Sequence, residues 1–213
     1  MTQKERQARS RQVIFQAALE EFGAADFEAV TMDGVCAKHG ISKGMLYHYY
    51  AGKDELFLAC AGEIFQALHR YLQAELLPLE RQPVFEALQN YFLLRETFFQ
   101  TRPREKHVFE NAVLYPPKHL ADRIQALRQP ILQENNRFLH RLLSRMTLRE
   151  GVDKERAARY LSSIHAVFWT ILERYCAQAG TPDLHKTLTE AVDLLQLVLY
   201  GVAGPEAISG RDA

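Results

Sequence analysis

The chain has 213 residues, of which 47% are hydrophobic and 24% charged, and its 26 lysines and arginines balance 26 aspartates and glutamates. This composition supplies enough apolar surface for a folded core and excludes a disordered or low-complexity chain. No apolar run approaches the roughly 18 residues of a membrane span, and the polar N-terminus lacks the pattern of a secretion signal. Three widely spaced cysteines in apolar contexts argue against a disulfide framework. The sequence therefore predicts a soluble, cytoplasmic protein of one or two domains with no membrane partner.

Apolar residues recur at helical spacing throughout, and the signals of strands and hairpins are absent. A first helix is predicted to start from Ser10 as its N-cap. It presents one apolar face, formed by Ile14, Ala17, Ala18 and Phe22. A second, short helix follows Thr31 as N-cap and ends at Gly40, with Val35 and Cys36 facing inward.

A third short helix is capped by Ser42, and a long fourth helix begins at Lys53 and reaches about Leu77. Beyond Pro78 the segments become longer and amphipathic, with prolines and glycines at their ends. Further helices are predicted near 83–101, 104–114, 117–149, 154–178 and 184–202. The pattern predicts an all-α fold with a small N-terminal domain over 1–54 and a larger helical domain over 55–213.

The second and third helices have the spacing of a helix-turn-helix, because both are short and the turn between them contains glycine. Leu46 and Tyr50 share the packed face of the third helix, whereas Tyr47 and His48 project from the other side. The major groove of DNA admits such a helix, and the first residues of the helix reach base edges there. Gly44 would let the backbone approach the DNA closely.

These residues also resemble a known family. The stretch from Ile14 to Leu56 is similar to the DNA-binding domain of TetR-family transcriptional regulators, through the run TMDGVCAKHGISKGMLYHYY at 31–50 and KDEL at 53–56. The resemblance covers about the first 60 residues, and the helical remainder is similar in length and pattern to that family's ligand-binding and dimerisation domain. It implies a homodimeric regulator, more often a repressor, that binds a double-stranded DNA operator and is released by a small-molecule effector.

The resemblance implies DNA-binding residues as well. Thr31, Tyr47 and Lys53 match positions that typically contact phosphates, and the others lie on or beside the third helix. Met45 offers a base edge only an apolar contact, to a thymine methyl group. The predicted DNA-binding set is Thr31, Ser42, Lys43, Gly44, Met45, Tyr47, His48 and Lys53.

Two features of this region have two interpretations each. The first eleven residues form a basic arm, with Lys4, Arg6, Arg9 and Arg11 against Glu5, although residues 1–55 carry seven basic and eight acidic side chains. The arm is either a solvated tail or a source of phosphate or minor-groove contacts. Tyr50 stands where the family usually has phenylalanine, and its position on the packed face favours a core role over a DNA contact.

The helical remainder predicts a dimer seam and an effector site. The last helix is apolar nearly all round, which fits burial against a partner subunit in a four-helix bundle. A regulator pocket is mostly apolar with a few orienting polar groups, so the aromatic-rich segments near 91–115 and 165–176 are predicted to bind an apolar or aromatic effector. The predicted seam residues are Leu188, Val192, Leu195 and Leu199. The predicted effector residues are Phe92, Arg95, His107, Phe109, Asn111, His165 and Trp169.

No catalytic or cofactor motif is found. The eight histidines include no pair at metal-ligand spacing, and no P-loop, dinucleotide fingerprint or nucleophile elbow occurs, so no metal, cofactor or enzyme activity is expected. Two alternatives stay open: a helical enzyme or ligand carrier with a vestigial helix-turn-helix, and a ligand-independent regulator that senses oxidation through Cys36 or Cys60. A stripe of Arg137, Arg141, Arg145 and Arg149 is interpreted as a solvated face balanced by acidic neighbours.

Overall fold

The computed structural model describes residues 2–178, 193–196 and 198, and the side chains of 2–168, 172, 193–196 and 198. Within these ranges the chain is helical and has no β-strand, as the sequence predicts. Short 3-10 helices lie at Phe27–Ala29 and Lys118–Leu120. The α-helices are α1 (Gln3–Phe22), α2 (Met32–His39), α3 (Lys43–Tyr49), α4 (Lys53–Leu79), α5 (Val84–Phe99), α6 (Pro103–Leu114), α7 (Ala121–Leu143) and α8 (Lys154–Gln178).

The predicted start of the first helix at Ser10 is wrong, because α1 begins at Gln3. Thr2 and Glu5 form a capping box that starts the helix early. The Thr2 hydroxyl accepts a hydrogen bond from the Glu5 amide at 3.2 Å, and the Glu5 carboxylate accepts one from the Thr2 amide at 2.7 Å. The basic arm is therefore not a tail but the first turns of α1.

The later boundaries agree in part with the sequence. The predicted helix over 154–178 is confirmed as α8, whereas the segment predicted over 117–149 is a 3-10 turn followed by α7, which ends at Leu143. At that end the Arg145 amide bonds to the carbonyl of Leu142, three residues back, which tightens the last turn. Of the predicted helix at 184–202, only residues 193–196 and 198 are described, and these are helical.

The chain forms two compact units. The first contains the residues up to Arg70 together with Phe98–Pro130, and the second contains Tyr71–Thr97 and the described residues from Ile131 onward. The unit that holds α1–α3 is thus larger than the predicted 1–54 segment, because α6 and the first part of α7 belong to it. Within this unit α6 packs against α1.

Three phenylalanines form the centre of the first unit. The ring of Phe57 meets those of Phe22 and Phe27 edge-on, each with centroids 5.1 Å apart. Ile41 and Leu46 are also buried, as the predicted inner face of α3 requires. The buried faces predicted for α1 and α2 are confirmed, since Ile14, Ala17, Ala18, Phe22, Val35 and Cys36 are all buried. This core fixes α3 in place behind its exposed face.

Helix α1 meets α6 at Gly23, directly after the last residue of α1. A Cβ atom at Gly23 would lie 2.6 Å from the Cβ of Arg104, which is closer than real Cβ atoms approach other atoms. Beside this point the Arg104 guanidinium lies 3.3 Å from the Glu20 carboxylate. The two helices therefore touch through a position that only glycine fits.

Candidate nucleic-acid interface

The predicted DNA-binding residues of α3 share one exposed face. Ser42, Lys43, Gly44 and His48 are exposed, and 49% of the Tyr47 surface is accessible to solvent. Met45 is half-buried, and Leu46 on the opposite side is fully buried. Tyr50, just beyond the helix, is half-buried, and burial raises the pKa of its hydroxyl. The short helix thus packs with one side and leaves the other open.

Thr31 and Ser42 are N-caps in the structure, as the sequence predicts. The Thr31 hydroxyl accepts a hydrogen bond from the Gly34 amide at 3.0 Å, and the Ser42 hydroxyl accepts one from the Met45 amide at 3.2 Å. Both residues are exposed. Because each hydroxyl acts as an acceptor in its cap, its own hydrogen stays available to donate to a phosphate oxygen.

Lys43 is paired across the turn with Asp33 of α2. The Lys43 ammonium lies 2.8 Å from the Asp33 carboxylate, and both side chains are about two-thirds exposed, at 64% and 65%. The hydrogen bond and the charge of Asp33 raise the pKa of Lys43. Sequence reasoning missed Asp33, which the chain places ten residues before Lys43. The only signal was its place in the first turn of α2, where an acidic residue is equally expected as a helix-start residue.

Lys53 makes contacts within the chain that the sequence did not predict. Its ammonium donates to the carbonyl of Phe27 at 3.0 Å and approaches that of Glu28 at 3.5 Å. The same group lies 4.2 Å from the centroid of the Phe27 ring, a cation–π contact. Lys53 therefore ties the start of α4 to the turn after α1, and its phosphate contact stays a prediction.

The basic residues at the start of α1 lie on an exposed helix rather than on a flexible arm. The side chains of Lys4, Arg6, Arg9 and Arg11 are exposed. The Arg11 guanidinium lies 5.5 Å from the centroid of the ring of Tyr49, the last residue of α3. Through this contact the last turn of the basic segment is held beside α3.

Three predicted effector residues come together in the second unit. His165 of α8 lies 5.3 Å from the Phe92 ring, and Arg95 donates a hydrogen bond to the carbonyl of Ala166 at 3.0 Å. Tyr91, which sequence reasoning missed, stacks on His165 with centroids 4.3 Å apart. Its only signal was a position directly before the predicted effector residue Phe92, where a tyrosine also fits an ordinary core. The side chain of Trp169 lies outside the described side chains.

The other predicted effector residues belong to the first unit. Phe109 is buried against Phe65 and Phe99, with ring centroids 5.8 Å and 5.0 Å away. Asn111 is buried, and its side-chain nitrogen has no hydrogen-bond partner in the described part of the chain. His107 is half-buried and lies 3.6 Å from the Asp26 carboxylate. A role for these three residues in effector binding stays a prediction.

His165 is a neutral, buried imidazole. Burial, together with the positive charge of Arg95, lowers the pKa of His165 to about 3, despite a hydrogen bond to the backbone of Tyr91. Its Nε2 atom and the Tyr91 hydroxyl find no hydrogen-bond partner among the described residues. Since buried polar atoms are nearly always hydrogen-bonded in folded proteins, these two need an explanation.

Of the predicted dimer-seam residues, only Leu195 lies within the described side chains. It is fully buried in the single chain. A charge at Leu195 would therefore disrupt the subunit's own packing, and such a variant would not report on dimerisation alone. Leu188, Val192 and Leu199 lie outside the described residues.

Of the predicted arginine stripe, Arg137 and Arg141 lie on α7, whereas Arg145 and Arg149 lie beyond its end at Leu143. Arg141 lies 2.6 Å from the Glu80 carboxylate, and Arg145 donates to the carbonyls of Glu80 and Gln82. Arg137 lies 3.4 Å from Glu134. The carboxylate partners of Arg137 and Arg141 agree with the predicted charge-balanced face, whereas Arg145 binds carbonyls just past the end of α4.

Both candidate redox cysteines are buried. Burial, together with the charge of the nearby Glu63 carboxylate, raises the pKa of the Cys60 thiol to about 12. A thiol with a raised pKa reacts poorly, which disfavours the redox-sensing alternative at Cys60. Across the described residues there is no cluster of metal-ligating side chains, and no helix there is long and apolar enough to cross a membrane.

A helix-turn-helix with an exposed second helix, joined to a helical body, defines the class of DNA-binding regulators. Comparison with known protein families identifies which regulators this chain is related to. Residues 14–60 match the model of bacterial regulatory proteins of the tetR family, and residues 82–199 match that of the tetracyclin repressor-like C-terminal domain. The chain belongs to the TetR family. It is a DNA-binding regulator of transcription and not an enzyme, and dimerisation, repression and response to small molecules are typical of that family.

Individual relatives are distant but cover at least nine-tenths of this chain. The HTH-type transcriptional regulator BetI of Brucella melitensis is 24% identical over 200 residues, which are 92% of this chain and 94% of BetI. The structure of Bacillus subtilis FadR in complex with stearoyl-CoA aligns with a TM-score of 0.68 at 13% identity, covering 90% of this chain and 98% of FadR. Pseudomonas aeruginosa NalD, the secondary repressor of the MexAB-OprM efflux pump, aligns with a TM-score of 0.65 at 17% identity, covering 93% and 99%. These structures share its fold.

Proposed function

We propose that this regulator acts in the cytoplasm as a dimeric repressor that places α3 of each subunit in the major groove. The observation that carries this proposal is the single exposed face of α3, which unites Lys43, Gly44, Tyr47 and His48 over a packed core. Beyond the neighbouring residues and the backbone of α3, no atom lies within 4 Å of a Cβ placed at Gly44, so the backbone there is open to a ligand. Two recognition helices would read half-sites about one helical turn apart.

Replacing Tyr47 with phenylalanine tests the docking face. The change removes an exposed hydroxyl that is placed to donate to a phosphate, so DNA of any sequence should bind about 1–2 kcal/mol more weakly. The measurement is fluorescence anisotropy with a duplex that the wild-type protein selects from a random pool and with a scrambled duplex. Tyr160→Phe, at an exposed tyrosine of α8, is the matched control. Equal affinities of Tyr47→Phe and wild type for both duplexes would remove Tyr47 from the interface.

For the effector, we propose a mostly apolar molecule with one hydrogen-bonding group, bound in the second unit beside Tyr91 and His165. The supporting observation is the pair of buried polar atoms without partners, set among the rings of Phe92, Phe138 and Phe168. Apolar walls with a few orienting polar groups are typical of small-molecule sites. A stearoyl chain in the FadR complex is a further precedent for an apolar ligand in this fold.

Binding would release the operator by a shift in populations. An effector that binds better to a body conformation in which the two recognition helices no longer fit their half-sites must weaken DNA binding. By linkage, the operator weakens effector binding to the same extent. The effector must therefore raise the melting temperature of the free protein and lower its affinity for the selected duplex in parallel.

Tyr91→Phe tests the effector site without disturbing the fold. Because the Tyr91 hydroxyl has no partner among the described residues, its removal should leave the melting temperature of the free protein unchanged or slightly higher. Compounds from a thermal-shift screen of fatty acids, acyl-CoA thioesters and aromatic metabolites should bind this variant about 5- to 15-fold more weakly. Tyr160→Phe again serves as the control. Hits that bind Tyr91→Phe as tightly as wild type would place the effector elsewhere.

A further inference from the structure

Asp33 is paired with Lys43, which carries the main positive charge of residues 41–52, the segment that contains α3. Lys43 carries that charge, since it is the only lysine or arginine between residues 41 and 52. The Asp33 carboxylate, 2.8 Å away and exposed on α2, cancels much of it. The other lysine of the predicted DNA-binding set, Lys53, has its ammonium directed to the carbonyls of Phe27 and Glu28.

Phosphates and base edges make different demands on such a pair. A phosphate that binds Lys43 brings a negative charge towards Asp33, so the phosphate must displace the carboxylate or be repelled by it. A base edge is uncharged, and the ammonium has three N–H donors. Lys43 can therefore keep one hydrogen bond to Asp33 and donate the others to acceptors such as O6 and N7 of guanine.

We infer that Asp33 is a specificity-determining residue, which holds Lys43 for contact with a base edge and suppresses its use on phosphates of non-operator DNA. Asp33 lowers sequence-independent binding more than it lowers operator binding, and the ratio between the two affinities increases. This inference rests on the proposed docking of α3 in the major groove. Affinity for non-operator DNA is therefore controlled by Asp33 of α2 rather than by a residue of α3.

Asp33→Asn tests the inference with two duplexes, one selected by the wild-type protein from a random pool and one of scrambled sequence. The variant should bind the scrambled duplex about two- to fivefold more tightly per subunit, as expected for the release of an exposed ion pair. On the scrambled duplex, the slope of log affinity against log salt should steepen by about one for each additional phosphate that the protein neutralises. Affinity for the selected duplex should rise less, so the specificity ratio falls.

Lys43→Gln in both backgrounds isolates the pair. In the wild-type background it should weaken the selected duplex and leave the scrambled one nearly unchanged, whereas in the Asp33→Asn background it should abolish the tighter binding of the scrambled duplex. Glu28→Gln is the matched control. It removes an exposed carboxylate for which the described structure gives no ion pair, from the turn just before Thr31.

The possible results separate this inference from the proposed function. A wild-type protein that selects no duplex over the scrambled one would overturn both together. If selection succeeds but Asp33→Asn behaves like Glu28→Gln, with equal changes on the two duplexes and no dependence on Lys43, the inference alone is overturned. Thermal unfolding of each variant checks that the loss of a helix-start carboxylate has not unfolded α2.

Discussion

Gly23→Ala is expected to lower the melting temperature by several degrees, whereas Gly44→Ala, the same chemical change in α3, is expected to raise it. At Gly23 the backbone φ of −80° suits any residue, so the cost comes only from space. The new methyl group would lie 2.6 Å from both the Cβ of Arg104 and the carbonyl oxygen of Leu19. To admit it, α6 must move away from α1 and the Leu19 carbonyl in the last turn of α1 must shift.

Overpacking of this kind costs about 1–3 kcal/mol, which corresponds to roughly 2–12 °C for a chain of this size. At Gly44 no atom beyond the neighbouring residues and the backbone of α3 lies within 4 Å of the new methyl group, and alanine favours a helix over glycine by up to about 1 kcal/mol. Thermal unfolding without DNA, followed by circular dichroism at one protein concentration, gives both values. Shifts of the same sign for the two variants would contradict the close approach of α6 to α1.

The helix-turn-helix could be predicted because its signals are local. Thr31 and Ser42 precede short helices and serve as the N-caps of α2 and α3. Gly40 adopts the left-handed conformation, with φ of 64°, that ends α2 and starts the turn. Each cap and helix end is determined by residues within one or two helical turns of it, so the spacing of those residues in the sequence is enough to predict it.

The start of α1 differs from the prediction although its signal is also local. Thr2 and Glu5 have the spacing of a capping box, but Ser10 stands nearer to the first apolar face and competes with Thr2 as a candidate cap. The charged segment between them has no apolar periodicity, so its helix rests on the cap alone. Where a good cap precedes a polar segment, the cap is the better guide to the boundary.

Contacts between distant parts of the chain could not be predicted. Lys53 and the carbonyl of Phe27 are 26 residues apart, and Arg95 reaches the carbonyl of Ala166 over 71 residues. Both cations bind backbone oxygens, which every residue has, so no side-chain pattern marks the partner. For the same reason the sequence could place the basic residues on helices, but it could not tell which of them bind the protein's own backbone and which are left to contact DNA.

Lowering the pH from 7 to 5 is expected to destabilise the protein through His165, beyond the effects of its other groups. Burial and Arg95 hold the pKa of this imidazole at about 3 in the folded chain, whereas an unfolded histidine titrates near 6.5. Below about pH 6.5 the unfolded chain therefore binds a proton that the folded chain does not bind. The stabilising contribution is complete above pH 6.5 and is lost as the pH falls towards about 3.

At 1.36 kcal/mol per pH unit, the loss between pH 7 and 5 amounts to about 2 kcal/mol, or roughly 4–8 °C. His165→Gln should remove this part of the pH dependence, since glutamine does not titrate. His48→Gln, at an exposed histidine of α3, is the control and should retain it. The measurement is the melting temperature of all three proteins at both pH values and one concentration. If wild type and His165→Gln lose the same stability at pH 5, His165 does not lie in an environment that excludes its proton, and the neutral, buried imidazole described beside Tyr91 is contradicted.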